Sequence, residues 1–168
     1  MSITDPLARL ESLIAQAEAK FGPRQPVALT AVGFARVGNP ITLFSKQEHG
    51  AVILMVAVGE ALLTDEPTLQ YQLAHEAVHC LAHNFKITRL EEGVATLFGL
   101  DHAPAGEEDR LDFVRKQYLA DVRSLLKASP DAIRVLRGKS PKFQDIEPAD
   151  IEALGAAPDL ANRLCAPG

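Results

Sequence analysis

Three of the chain's five histidines fall within nine positions, in the stretch LAHEAVHCLAH from Leu73 to His83. Inside it, His75-Glu76-Ala77-Val78-His79 forms an H-E-x-x-H pattern. On a helix the two histidines are one turn apart and project from one face. Two imidazoles at that spacing can hold one Zn²⁺. Glu76 is rotated by about 100° from His75, so it borders the ion without ligating it. There its carboxylate can take a proton from a metal-bound water. The chemistry these residue types suit is metal-assisted hydrolysis.

A catalytic zinc takes three protein ligands and keeps a fourth position open. His83 lies one turn beyond His79, but a helix carries it about 12 Å from His75 along the axis. Zinc–nitrogen bonds are about 2 Å, so one ion cannot bind both. The stretch Leu90-Glu91-Glu92-Gly93-Val94-Ala95 offers a carboxylate instead. Thr88-Arg89-Leu90-Glu91 fits a capping box, with Thr88 as N-cap and Glu91 reaching back to its amide. A Glu91 held in that way leaves Glu92 as the third ligand. Gly93 and Ala95 are small and would let this helix lie close to the histidine helix.

The elements that must position these residues can be read around them. Pro6 to Lys20 reads as an amphipathic helix, with Leu7, Leu10, Leu13, Ile14 and Ala17 on one face. Val27 to Val32, Ile41 to Phe44 and Ala51 to Val58 read as short strands, punctuated by turns at 38–40 and 48–50. Thr64-Asp65-Glu66-Pro67 is a helix start, and that helix is expected to run from Glu66 to His83, with Asn84 as its left-handed stop. The glutamate helix is expected from Arg89 to Leu100, antiparallel to its neighbour across a short link. Glu107 to Lys127 reads as one long helix with Leu111, Val114, Tyr118, Val122 and Leu125 inward. Ser129-Pro130 and Glu147-Pro148 open shorter helical pieces.

Length and composition set the outer bounds. The 168 residues suit a single domain with a sizeable core. Hydrophobic residues make up 47% and charged residues 23%, an ordinary globular composition. A net charge of −5 and the lack of a Lys/Arg run argue against a nucleic-acid partner. The longest apolar run, 51–58, is too short to span a membrane, and the N-terminus has no signal-peptide pattern. The expected setting is the cytoplasm. Cys80 and Cys165 are too few for a disulfide framework, and Cys80 reads as a small buried apolar residue.

The pair of motifs, His75-Glu76-Ala77-Val78-His79 and Glu91-Glu92-Gly93-Val94-Ala95, resembles the gluzincin group of zinc metallopeptidases, in which an H-E-x-x-H helix is followed by a glutamate helix with an E-G-x-A core. The resemblance covers about 62–100 and is similar to the compact minigluzincin arrangement. It implies one Zn²⁺ held by His75, His79 and Glu92, with Glu76 as general base and a peptide or protein as substrate. It also implies an α+β, zincin-like fold in one domain, 1–168. A small β-sheet would pack on the active-site and glutamate helices over about 1–103, and a helical extension would fill about 104–168. Gluzincins add a Tyr or His that stabilises the oxyanion; Tyr118 is taken for that role over Tyr71 and His102. By the same resemblance, a peptide would pair with the free edge of the strand at 51–58. His49 borders that strand and is given no role. The competing expectation is a binding or regulatory protein that keeps the metal site without turnover.

Overall fold

The computed structural model describes residues 6–25, 28–35, 41–46, 52–59, 65–82 and 86–168. The elements run α1 (Pro6–Phe21), β1 (Ala28–Ala35), β2 (Ile41–Lys46), β3 (Val52–Gly59), α2 (Glu66–His79), α3 (Arg89–Asp101), α4 (Glu107–Arg110), α5 (Phe113–Ala128), α6 (Ala132–Lys139), α7 (Pro148–Glu152) and α8 (Pro158–Cys165), with a 3₁₀ turn at Phe143–Asp145. Thr64, His49, His83, Asn84 and the expected turns at 38–40 and 48–50 lie outside the described residues. No helix among the described residues is long and apolar enough to cross a membrane. Neither cysteine is in a disulfide, and Cys80 is buried.

The expected α+β, zincin-like class is corrected: the fold is predominantly helical. Among the described side chains, Val56 is the single strand residue in the main core, which otherwise comes from α1, α2, α3, α5, α6, α7, α8 and their connections. The apolar stripes of the C-terminal helices therefore do not cap a sheet-based core. They build the core, with Val122 and Leu125 of α5, Ile133 and Leu136 of α6 and Leu164 of α8 in the same cluster as Leu73 and Val78 of α2. The three strands are ordered β1-β3-β2, with β1 parallel and β2 antiparallel to β3. A second expectation falls with this order. β3 is hydrogen-bonded along both sides, so it has no free edge for a peptide.

The helices start and stop where local chemistry allows. α1 buries Leu10, Leu13, Ile14 and Ala17, the three- and four-residue stripe of an amphipathic helix. Asp65 caps α2, its carboxylate accepting from the Thr68 amide at 3.4 Å and from the Thr68 hydroxyl at 2.7 Å. Thr88 caps α3, accepting from the Glu91 amide at 3.3 Å. The long helix expected over 107–127 is interrupted. Asp112 accepts from the Arg115 amide at 2.8 Å and restarts the chain as α5. Within α5, Val114 in the first turn is 49% exposed, while Tyr118, Val122 and Leu125 in the later turns are buried. Glu147 and Asp150 form the capping box that opens α7.

Two glycines set how closely the site helices approach. A Cβ at Gly99 would lie 2.7 Å from the Tyr71 ring, so α3 lies tight against α2 there. Gly93 was expected to serve that same contact, but it faces α5. A Cβ on it would stand 2.6 Å from the Tyr118 carbonyl oxygen and 2.5 Å from Val122 Cγ2. At an exposed helical position Gly→Ala gains about 1 kcal/mol. Here the added methyl meets backbone that no rotamer change can move, and overpacking costs about 1–3 kcal/mol. With two contacts below 3.0 Å the cost is expected to exceed the gain, and Gly93→Ala to lower stability by up to about 2 kcal/mol net. Urea unfolding checks this, and an unchanged or raised midpoint contradicts it.

Arg137 of α6 ties down the far end of the site helix. Its guanidinium donates to the carbonyls of Gly22 at 2.7 Å, Pro23 at 2.9 Å, Phe21 at 3.2 Å and Leu81 at 3.4 Å. Burial pushes its pKa down to about 10, so it stays charged at neutral pH. The carbonyls it gathers close the ends of α1 and α2, two residues beyond His79.

Candidate metal centre

His75 and His79 lie on the last turns of α2, and Glu91 and Glu92 on the first turn of α3. Tyr71 meets Gly99, and His79 meets Glu91. An early residue of α2 thus faces a late one of α3, and the reverse, so the helices are antiparallel. That direction brings the C-terminal end of the histidine helix against the N-terminal end of the glutamate helix.

The donor atoms converge. His75 Nε2 and His79 Nε2 face each other at 3.3 Å. Glu92 brackets them, with Oε2 at 3.6 Å from His75 Nε2 and Oε1 at 3.6 Å from His79 Nε2. One ligand atom from each of the three residues lies within 4.8 Å of the others, a group that could hold a metal ion. Bonds of about 2.0–2.1 Å at tetrahedral angles put donors about 3.3–3.4 Å apart, close to what the three side chains show.

Glu91 does a separate job. Its carboxylate is 1% exposed and lies 2.9 Å from His79 Nδ1. Nδ1–H donates to Glu91, which leaves the Nε2 lone pair of the neutral ring aimed at His75 and Glu92. Two ring nitrogens facing at this distance repel unless a proton or a cation lies between them. The donor set therefore fits a cation, and a carboxylate behind a ligating histidine is the arrangement that orients the ring and raises its basicity. Of the expected capping box, the Thr88 half is present. The Glu91 carboxylate was expected to serve the cap, and no local pattern signals its bond to His79.

Glu76 is 3% exposed, and its charge acts on His79. Tyr118 is buried, with its ring 5.5 Å beneath the Arg89 guanidinium at the start of α3. The tyrosine beside a ligand is Tyr71, whose ring centroid is 6.2 Å from that of His75. Its hydroxyl is buried, and burial raises its pKa. Its position one turn before His75 is the sequence signal that marks it. His102 packs on Phe98 at the opposite end of α3, with centroids 4.5 Å apart.

The two histidines titrate as a coupled pair in the metal-free protein. Burial opposes the charged form of His79, but the hydrogen bond to Glu91 and the charges of Glu91, Glu76 and Glu92 outweigh it and raise the pKa to about 9. Burial, then the charges of His79 and Arg115, hold His75 well below 6.5. The signs differ. His79 stabilises the fold fully below its ordinary 6.5, and that contribution is lost as pH rises towards about 9. His75 has no effect above 6.5, but below it the unfolded chain gains a proton that the folded chain refuses, so stability falls. Melting of chelator-treated protein is expected to peak near pH 6.5 and to fall towards pH 9. A flat melting temperature over that alkaline limb contradicts the pairing of His79 with Glu91.

Compared with known proteins, the chain matches no family model, no curated protein and no solved structure.

Proposed function

We propose that the protein is a zinc-dependent peptidase with a gluzincin-type centre, working in the cytoplasm on a peptide or protein substrate. The observation that supports it most is the cluster of His75, His79 and Glu92, with His79 held from behind by Glu91. Two imidazoles and one carboxylate are a catalytic zinc set, whereas structural zinc sites are closed by four ligands, mostly cysteines. A zinc ion held by the three residues would supply Lewis acidity to the scissile carbonyl and lower the pKa of water beside it.

The rest is the work of this chain's own side chains. Glu76 takes the proton of the attacking water and passes it to the leaving amine. Its burial beside the ligands supports that role, since a site that only stores an ion has no use for a base there. For the hydrogen bond to the developing oxyanion, the proposal moves from Tyr118 to Tyr71, whose ring adjoins His75.

The test is turnover on a diverse peptide mixture, read by mass spectrometry as new termini. The expected result is cleavage that stops on chelation and returns with zinc. Zinc-loaded protein that cuts nothing in such a mixture contradicts the reading.

A further inference from the structure

With both sides of β3 occupied, an extended peptide needs another edge. The structure has one beside the ligands, and it already carries a segment of chain. After α8 the backbone extends, with Ala166 at φ −67° and ψ 157°. Residues 166–168 then lie antiparallel to 87–89. Thr88 and Pro167 form an isolated antiparallel bridge. The Arg89 amide donates to the Ala166 carbonyl at 2.9 Å, and the Gly168 amide donates to the Ile87 carbonyl at 3.1 Å. Arg89 Nε donates to the Pro167 carbonyl at 3.4 Å.

Gly168 lies against a ligand. A Cβ on Gly168 would stand 3.0 Å from Glu92 Cγ and 3.3 Å from the Thr88 carbonyl oxygen. Glu92 is the ligand most open to solvent, at 20% side-chain exposure against 7% for His75 and 6% for His79. The segment therefore sits where the site opens outwards. It is held by main-chain hydrogen bonds, the sequence-tolerant mode by which a peptide adds to an exposed edge.

We propose that the backbone of residues 87–89 is the peptide-binding edge of the metal site, and that residues 166–168 occupy it as a tethered competitor that a peptide must displace. The proposal rests on the peptidase reading for its biological sense, but not for its test. A tethered segment competes at an effective concentration on the order of millimolar, so it sets a threshold that weakly binding peptides do not pass. Extended peptides are the class of ligand such an edge accepts.

The experiment measures binding, not hydrolysis, in zinc-loaded protein carrying Glu76→Gln. The probe is a fluorescent hexapeptide, Arg-Leu-Ser-Ala-Pro-Gly, which copies residues 163–168 with serine in place of Cys165. Three proteins are compared: the full chain, Gly168→Val, whose Cβ would crowd Glu92 Cγ at 3.0 Å and the Thr88 carbonyl oxygen at 3.3 Å, and a chain ending at Cys165. Zinc per chain is measured in each. Both altered proteins are expected to keep zinc and to bind the probe at least about tenfold more tightly than the full chain, as loss of a tethered competitor requires. Adding the probe to the full chain is expected to speed hydrogen exchange at the Gly168 amide. Equal probe affinity in all three proteins, or no binding by the two altered ones while zinc is retained, overturns the proposal. A protein that binds the probe as expected yet cuts no peptide would leave the edge in place and remove the peptidase reading alone.

Discussion

Glu76→Gln is expected to retain zinc, fold and melting temperature while losing peptide hydrolysis by about 10²–10⁴-fold, the usual contribution of a positioned general base. Glu76 lies on α2 between the two histidine ligands, is 3% exposed, and is not one of the three residues whose donor atoms converge. Glutamine keeps its size and its capacity to accept a hydrogen bond but cannot take a proton. The change thus separates the base from the scaffold. A loss in kcat with zinc unchanged supports the role. Full activity in the variant means that the proton goes elsewhere. Loss of zinc means that Glu76 helps to build the site rather than to run it. A wild-type protein that holds zinc but never turns over would favour the competing reading of a metal-retaining binding protein.

The second large effect separates the adjacent glutamates. Glu92→Ala removes a donor 3.6 Å from each imidazole nitrogen. Glu91→Ala removes the acceptor behind His79, 2.9 Å from Nδ1. Loss of an outer partner costs about 10–100-fold in metal affinity. Loss of a ligand is expected to exceed the upper end of that range, more than about 100-fold. Competition with a chromogenic chelator reads both. The order wild type, Glu91→Ala, Glu92→Ala is the expected ranking, and a reversal of the last two exchanges the roles assigned here. Glu91→Ala is also expected to abolish the alkaline fall in metal-free stability, since the proton on His79 is held chiefly through Glu91.

The site was more legible in the sequence than the fold. A one-turn repeat of histidines is a local rule of helix geometry, so His75 and His79 could be named from spacing, whereas Glu92 was named because Glu91 was assigned to the Thr88 cap and because of the E-G-x-A resemblance. Glu91 was placed in the wrong contact because a capping box is also a local rule. Its bond to His79 depends on how two helices meet, which no local pattern records. The same limit applies to Gly93 and Gly99. Both promise a close approach, but the identity of the neighbour, α5 for one and α2 for the other, is a tertiary fact. The class failed for a related reason. Three short β-branched runs are conspicuous, while the amphipathic stripes of α5, α6 and α8 look the same whether they cover a core or form it. Asp112 is a missed signal that was present in the sequence: an Asx residue before Phe113 can cap a new helix and so divide the expected 107–127 helix in two.

The proposed zinc ion on His75, His79 and Glu92 is read directly by metal content. The measurement is zinc per chain in wild-type protein purified without added metal, beside His79→Ala, each repeated after metal is added back and excess removed. Close to one zinc per chain is expected in the wild type and close to none in the variant, since one of three ligands is lost. No zinc in either protein after the metal is restored, or equal zinc in both, contradicts it.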